Sequence, residues 1–183
     1  MRVTMIRHGQ VDMPWVKKYN SEEFDQAWLD YDRHDILPVT QHLDISPKAK
    51  VFVSPYKRTH QTAEQFLGVH DYTVIEDLLN EIPLRSFMDT GHRFERHFMN
   101  FLGRVQWYLP MKRQPERRSA SRRRAGKLVD FIEKLPDGDY VLVMHGFYLR
   151  TLASVFRHRG YKMTHQPFFA VPNLYTATAE KTL

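Results

Sequence analysis

Val3-Thr4-Met5-Ile6-Arg7-His8-Gly9 is a short apolar run that ends in a guanidinium, an imidazole and a glycine, and it reads as a buried β-strand handing Arg7 and His8 to the turn behind it. Val141-Leu142-Val143-Met144-His145-Gly146 repeats the arrangement far along the chain. In a parallel α/β sheet, ligands bind outside the carboxyl ends of the strands, so two histidines leaving two strands this way can face each other across one crevice. A third junction joins them, where Val51-Phe52-Val53 runs into Ser54-Pro55-Tyr56-Lys57-Arg58. Two imidazoles and two guanidiniums at three strand ends describe a pocket for a doubly charged phosphoryl group.

The segments between these strands complete an α/β pattern. Residues 10–49 read as loop and irregular helix, with Ser21 as N-cap and Glu22-Glu23 in the first turn of a helix reaching about Tyr31. Ser54 and Pro55 serve as N-cap and first residue of the next helix, and Ala63, Phe66 and Leu67 supply part of its buried face. Tyr72 to Ile75 is a short strand. From His92 to about Leu109, Phe94, Phe98, Phe101 and Tyr108 recur near helical spacing and read as core, with a substrate-facing aromatic wall as the alternative. Ala125, Leu128, Val129, Ile132 and Leu135 mark an amphipathic helix that Pro136-Asp137-Gly138 stops. A helix over Phe147 to about Phe156 and a last strand over Leu174 to Ala179 follow. Strands alternating with helices predict a three-layer α/β sandwich with a largely parallel central sheet flanked by helices, in one domain spanning 1–183.

Composition narrows the chemistry. The 183 residues include no cysteine, which excludes disulfides, thiol nucleophiles and Cys-based metal sites. The ten histidines show no His-Glu-x-x-His spacing, and His92 and His97 lie five apart, so no metal is expected. With the first strand starting at residue 2 and no apolar run of membrane-spanning length, the expectation is a cytoplasmic protein without a membrane partner. A net charge of +6 favours anionic partners but does not separate phosphorylated metabolites from nucleic acid. Nucleic acid is disfavoured by the absence of a recognisable binding motif.

Arg7-His8-Gly9, the run Ser54-Pro55-x-x-Arg58-x-x-Gln61-Thr62-Ala63, Leu79-Asn80-Glu81 and the late His145-Gly146 occur in an order that resembles the histidine phosphatase superfamily, in its phosphoglycerate-mutase-like branch. The resemblance spans nearly the whole chain. It implies a phosphoglycerate-mutase-like fold and a covalent phosphohistidine on His8. After Arg-His-Gly, Gln10 fits the family pattern, but Val11 stands where a Thr is usual and Pro14 where an Asn helps to hold phosphate. Trp15, Lys17, Lys18 or Tyr19 would have to supply the missing contact. Glu116, Arg117 and Arg118 fall where the family has a Gly-Glu-Ser stretch and are candidates to bind substrate, although a solvated basic face is the preferred account of the arginines.

Phosphoryl transfer needs an in-line nucleophile and positive groups around the equatorial oxygens. His8 is the expected nucleophile, its imidazole kept neutral by Arg7 and Arg58. Arg7 and Arg58, with Gly9, Gln10 and a protonated His145, would hold the phosphate. Glu81 would protonate the leaving oxygen, with Glu76 and Asp77 as rivals. The expected activity is cofactor-independent phosphomonoester hydrolysis, on a phosphorylated small molecule or on protein phosphohistidine. A phosphoglycerate-type phosphomutase is the alternative, and a basic polyanion-binding module with a degenerate site is the alternative from another class.

Overall fold

The computed structural model describes residues 1–109, 111–167 and 175–181. In chain order its elements are β1 (Arg2–Arg7), β2 (Lys18–Tyr19), α1 (Ser21–Tyr31), β3 (Lys50–Val53), α2 (Lys57–Leu67), β4 (Thr73–Val74), α3 (Glu76–Leu79), β5 (Phe94–Glu95), α4 (Arg96–Tyr108), α5 (Arg118–Glu133), β6 (Asp139–Met144), α6 (Gly146–His158), β7 (Lys162–Pro167) and β8 (Tyr175–Glu180). The central sheet has the order β4-β3-β6-β1-β8-β7. All its strands share one direction except β8, which runs antiparallel to both neighbours. Leu174, expected to open the last strand, lies outside the described residues.

Strand alternation sorts the core into layers, since successive side chains of a strand point to opposite faces. Val3 and Met5 of β1, Phe52 of β3 and Leu142 and Met144 of β6 face α5 and α6, where Ala125, Leu128, Val129, Ile132, Leu149 and Leu152 are buried. Each such leucine or isoleucine contributes about 1.5–3 kcal/mol relative to exposure. On the other face, Ile6, Val51, Val53, Val141 and Val143 pack on Ala63, Phe66 and Leu67 of α2. The mostly parallel, three-layer α/β architecture expected from the sequence is present.

Four local expectations are corrected. Asn20, not Ser21, caps α1: its side chain accepts the Glu23 N–H at 2.9 Å while the Glu23 carboxylate accepts the Asn20 N–H at 3.0 Å. Ser21 instead donates to the Met88 carbonyl and accepts the Thr90 N–H, tying α1 to that loop. Helix α2 starts at Lys57 behind an extended Tyr56, because the Ser54 hydroxyl is turned toward His145 and not toward the helix amides. Gly68 ends α2 in the left-handed conformation, φ 63°, where a Cβ would be strained. Phe94 pairs in β5 with Tyr19 of β2, and α4 begins only at Arg96. Phe98, Phe101 and Tyr108 of α4 are exposed and not core, and Met99, Gly103 and Trp107 form the buried stripe.

Outside the sheet, Tyr19, Phe24, Ala27 and Met99 form a third apolar cluster with Trp15, Trp28, Leu84, Phe87 and Phe94. This cover, built from α1, the β2–β5 ribbon and α4, stands over the carboxyl ends of the strands and closes one side of a cleft of about 740 Å³. No helix among the described residues is long and apolar enough to cross a membrane.

Candidate active site

Sheet register assembles the floor of the cleft. Arg7 pairs with Met144 and Val53 with Val143, so β1, β3 and β6 finish almost level. Each ladder runs one bond further: the His8 N–H donates to the Met144 carbonyl at 2.9 Å, and the Ser54 N–H to the Val143 carbonyl at 3.3 Å. His8, Ser54 and His145 therefore emerge side by side, the two imidazole centroids 5.2 Å apart.

His8 is 3 % exposed, and its Nδ1 lies 2.7 Å from the Gly9 carbonyl. A carbonyl only accepts, so Nδ1 carries the hydrogen and Nε2 the lone pair. Burial, followed by the guanidinium of Arg58, pushes the imidazole well below its ordinary value of 6.5, against the opposing pull of the Gly9 carbonyl. The turn is itself fixed: the Gly9 N–H donates to the Thr62 hydroxyl at 2.9 Å, which donates to the Arg58 carbonyl at 2.6 Å.

His145 is fully buried and addressed on both nitrogens. Arg58 donates through Nε and Nη2 to Nδ1 at 3.3 and 3.2 Å, which leaves the ring hydrogen on Nε2, 2.8 Å from Ser54 Oγ. Ser54 passes its own hydrogen to Thr59 Oγ1 at 3.0 Å, and Thr59 donates to the backbone carbonyls of Ser54 and Tyr56. Because a guanidinium can only donate, it sets the polarity of this whole relay. His145 is therefore neutral in this state; the protonated ring was expected only against a bound phosphate dianion. Burial, then Arg58 and His8, keep it well below 6.5.

The two arginines differ. Arg58 is 2 % exposed and committed: Nη1 meets Asp32 Oδ1 at 2.7 Å, and its guanidinium lies over the Tyr56 and Tyr31 rings at 4.5 and 5.0 Å. From the sequence it was expected to hold phosphate oxygens, with no sign of the Asp32 partner. Arg7 passes across Gly146, where a Cβ would come within 2.7 Å of its Nε. That Nε is buried without a hydrogen-bond partner, and Arg7 makes no ion pair among the described residues.

Glu81 closes the floor from the side. Its Oε1 accepts the Ile82 and Tyr148 N–H groups at 2.8 and 2.9 Å, and Oε2 the Phe147 N–H at 3.3 Å, which seats the carboxylate on the N-terminus of α6. Glu76 and Asp77 sit exposed on α3, away from the cleft. Arg124 braces the approach to Glu81: it donates to the Asn80 carbonyl at 2.6 Å, pairs with Glu116 at 3.0 Å and lies 4.0 Å over Tyr148.

Arg7, His8, Arg58 and Glu81 line one cleft, with His145 directly beneath Arg58. The remaining candidates stand elsewhere. Gly9 supports His8 from behind, and Gln10 is exposed, its carbonyl accepting the Leu37 N–H. Trp15 packs 5.5 Å from the rings of Trp28 and Tyr31, one layer behind the wall. Lys17 and Lys18 are exposed, Lys17 beside Glu95, and Tyr19 is buried with its hydroxyl accepting the Val16 N–H. Glu116 is occupied by Arg124, Arg117 is exposed, and Arg118 stacks on Tyr108 at 4.3 Å. None of these residues lines the cleft. Sequence reasoning missed Asp32, Tyr31, Trp28, Asn100, Arg104, Phe147 and Arg150, which do. The one available signal was the i, i+4 spacing of Asn100 and Arg104 beside the buried stripe of α4.

Among solved structures, the product of a Mycobacterium tuberculosis open reading frame shares 15 % identity over 94 % of both chains with a TM-score of 0.53. A phosphoserine phosphatase from Entamoeba histolytica, solved with 3-phosphoglyceric acid, shares 16 % identity over 86 % of this chain and 80 % of its own, with a TM-score of 0.53. A mycobacterial glucosyl-3-phosphoglycerate phosphatase shares 16 % identity over 85 % of this chain and 78 % of its own, with a TM-score of 0.50. At such identities the likeness is one of fold. No curated protein matches significantly. The sequence from residue 3 to residue 176 matches the profile of the histidine phosphatase superfamily, branch 1. With two histidines and two arginines converging at the ends of a mostly parallel sheet, the chain belongs to that superfamily.

Proposed function

We propose that this histidine phosphatase is a phosphomonoesterase that works through a phosphohistidine on His8. The observation that carries the reading is the Gly9 carbonyl on His8 Nδ1, which leaves Nε2 as the unprotonated nitrogen of a buried, neutral imidazole beside Arg7 and Arg58. His8 Nε2 attacks phosphorus as the bond to the ester oxygen breaks, and the leaving oxygen takes a proton from Glu81. Water then attacks phosphorus, returns a proton to Glu81 and releases His8 with inorganic phosphate. Arg7 offers its unpaired guanidinium to the equatorial oxygens. Arg58 joins it by exchanging the Asp32 carboxylate for a phosphate oxygen, so one anion replaces another on a guanidinium that stays buried.

Hydrolysis of nitrophenyl phosphate in the presence of EDTA tests the activity. Protein quenched in alkaline denaturant after a pulse of labelled substrate retains label on His8, and His8→Ala abolishes both label and turnover. Label persisting in His8→Ala, or turnover within tenfold of wild type, overturns the assignment.

A further inference from the structure

Arg58 has fixed partners and one that can be exchanged. Tyr31 and Tyr56 lie against its guanidinium, and His145 Nδ1 takes hydrogens from Nε and Nη2 at 3.3 and 3.2 Å. The Asp32 carboxylate meets Nη1 at 2.7 Å. No other acid pairs with Arg58 among the described residues, and the Asp32 carboxylate has no second partner among them. The two ends of the pair differ in exposure, 2 % for the Arg58 side chain and 33 % for that of Asp32. The acid can leave for water, whereas the guanidinium cannot.

Asp32 is also a poor residue for the helix that carries it. It caps the C-terminus of α1, the negative end of the helix dipole, and the last turn holds no cation to offset it. Its carboxylate is therefore fixed by Arg58 alone. Asp32, Arg58, Tyr31 and His8 line the cleft together, and the Tyr31 ring lies 6.2 Å from that of His8 and 5.0 Å from the Arg58 guanidinium. The free protein thus keeps an anion of its own on Arg58, beside the nucleophile.

We propose that Asp32 is a resident competitor of the phosphoryl group: it holds Arg58 in the free protein, and every phosphate or phosphate ester must displace it to bind. The step is an exchange of anions on one guanidinium, with no covalent bond made or broken. Its effect differs between substrate and product. An ester keeps contacts of its organic part with walls such as Trp28, Ile82 and Phe147, whereas inorganic phosphate has only the floor and is released as the carboxylate returns to Nη1. The inference rests on the reading of the floor as the phosphoryl site, and it adds a device built into the fold against inhibition by product.

Calorimetric titration with inorganic phosphate tests this without turnover. Asp32→Asn keeps the size of the side chain and an oxygen for Arg58 while removing the charge, and Asn is at home near a helix C-terminus, so the fold is not at risk. The variant binds phosphate about tenfold or more tightly than wild type, the scale of one like charge removed from beside a dianion. Asp32→Glu restores the charge and binds as weakly as wild type. A residue that merely props Arg58 in place would give the reverse, weaker binding in Asp32→Asn. A gain of less than about threefold in Asp32→Asn, under the effect of one nearby charge, or a loss, overturns the proposal. Asp32→Glu binding as tightly as Asp32→Asn also overturns it. Tighter phosphate binding by Asp32→Asn in a protein that does not hydrolyse nitrophenyl phosphate keeps the resident anion and loses the phosphatase reading. Hydrolysis with a phosphate affinity that the substitution leaves unmoved does the opposite.

Discussion

The floor of the cleft and its cover are built by different means. On the floor, parallel pairing of β1, β3 and β6 brings His8, Ser54 and His145 together, and hydrogen bonds with the Gly9 carbonyl, Thr59 and Arg58 assign their protons. In the cover, side chains of α1, the β2–β5 ribbon and α4 pack through aromatic rings and half-buried arginines. Backbone ladders place atoms to a fraction of an ångström, whereas a wall of rings on short elements sets a shape. The difference teaches that the floor should govern the chemical step with any ester, and the cover the choice among esters.

The largest expected effect tests that division at Glu81, the floor residue that is seated on helix amides. Glu81→Gln should slow single-turnover phosphorylation of His8 by an alkyl phosphate on the order of a hundredfold or more, and by nitrophenyl phosphate far less, because a weakly basic leaving group needs little protonation. Equal slowing of both substrates would remove Glu81 as the acid. Next, Arg58→Ala should cost about a hundredfold in kcat/KM for every substrate tried, the scale of a lost oxyanion donor. A loss that varied widely with the ester would move Arg58 from the chemistry to recognition.

Acid stability should also separate the regions. Both floor histidines are held well below 6.5 by burial, so below about pH 6.5 the unfolded chain takes up protons that the folded protein refuses. Their contribution to stability is intact above that pH and is lost as pH falls toward the lowered folded values. The slope approaches about 1.4 kcal/mol per pH unit for each histidine. Urea midpoints followed from pH 7 downward should show it, and His8→Asn with His145→Gln should flatten it. An unchanged slope would place the acid sensitivity elsewhere. The smallest effect belongs to the cover: Asn20→Ala removes the capping box of α1 at a cost of about 1 kcal/mol, measured by denaturation, with kcat for nitrophenyl phosphate nearly preserved.

The same division decided what could be read from the sequence. Arg7 ends an apolar strand, His8 and His145 each follow one directly, and Arg58 stands in the first turn of the helix behind a third, so period and position locate them before any contact is known. Helix α5 was equally legible, since Ala125, Leu128, Val129 and Ile132 are the apolar residues it buries. Asp32 was not, because an acid at the end of an ordinary amphipathic helix carries no local sign that it will meet Arg58 twenty-six positions later. On α4 the helix was visible but its inner face was not: the aromatics at 98, 101 and 108 outweighed Met99, Gly103 and Trp107, although Leu84 and the Arg85 carbonyl close on Gly103 so nearly that a Cβ would have to displace them. Nothing local in the sequence marks that Arg124 turns inward to Glu116 while Arg117 stays exposed.

The position of β1 bears on how the protein comes to be active. Although it is the first strand in the sequence, its neighbours in the sheet are β6 and β8, which begin at residues 139 and 175. Its two edges therefore find their mates only across most of the chain, a topology of high contact order that folds slowly and leaves a bare apolar strand open to wrong pairing until late in synthesis. The crossing of Arg7 over Gly146 belongs to that same late step, so no fragment ending before β6 can hold the site. Turnover is thus a readout of complete assembly, and its rate of appearance after dilution from denaturant would time the joining of the first and sixth strands.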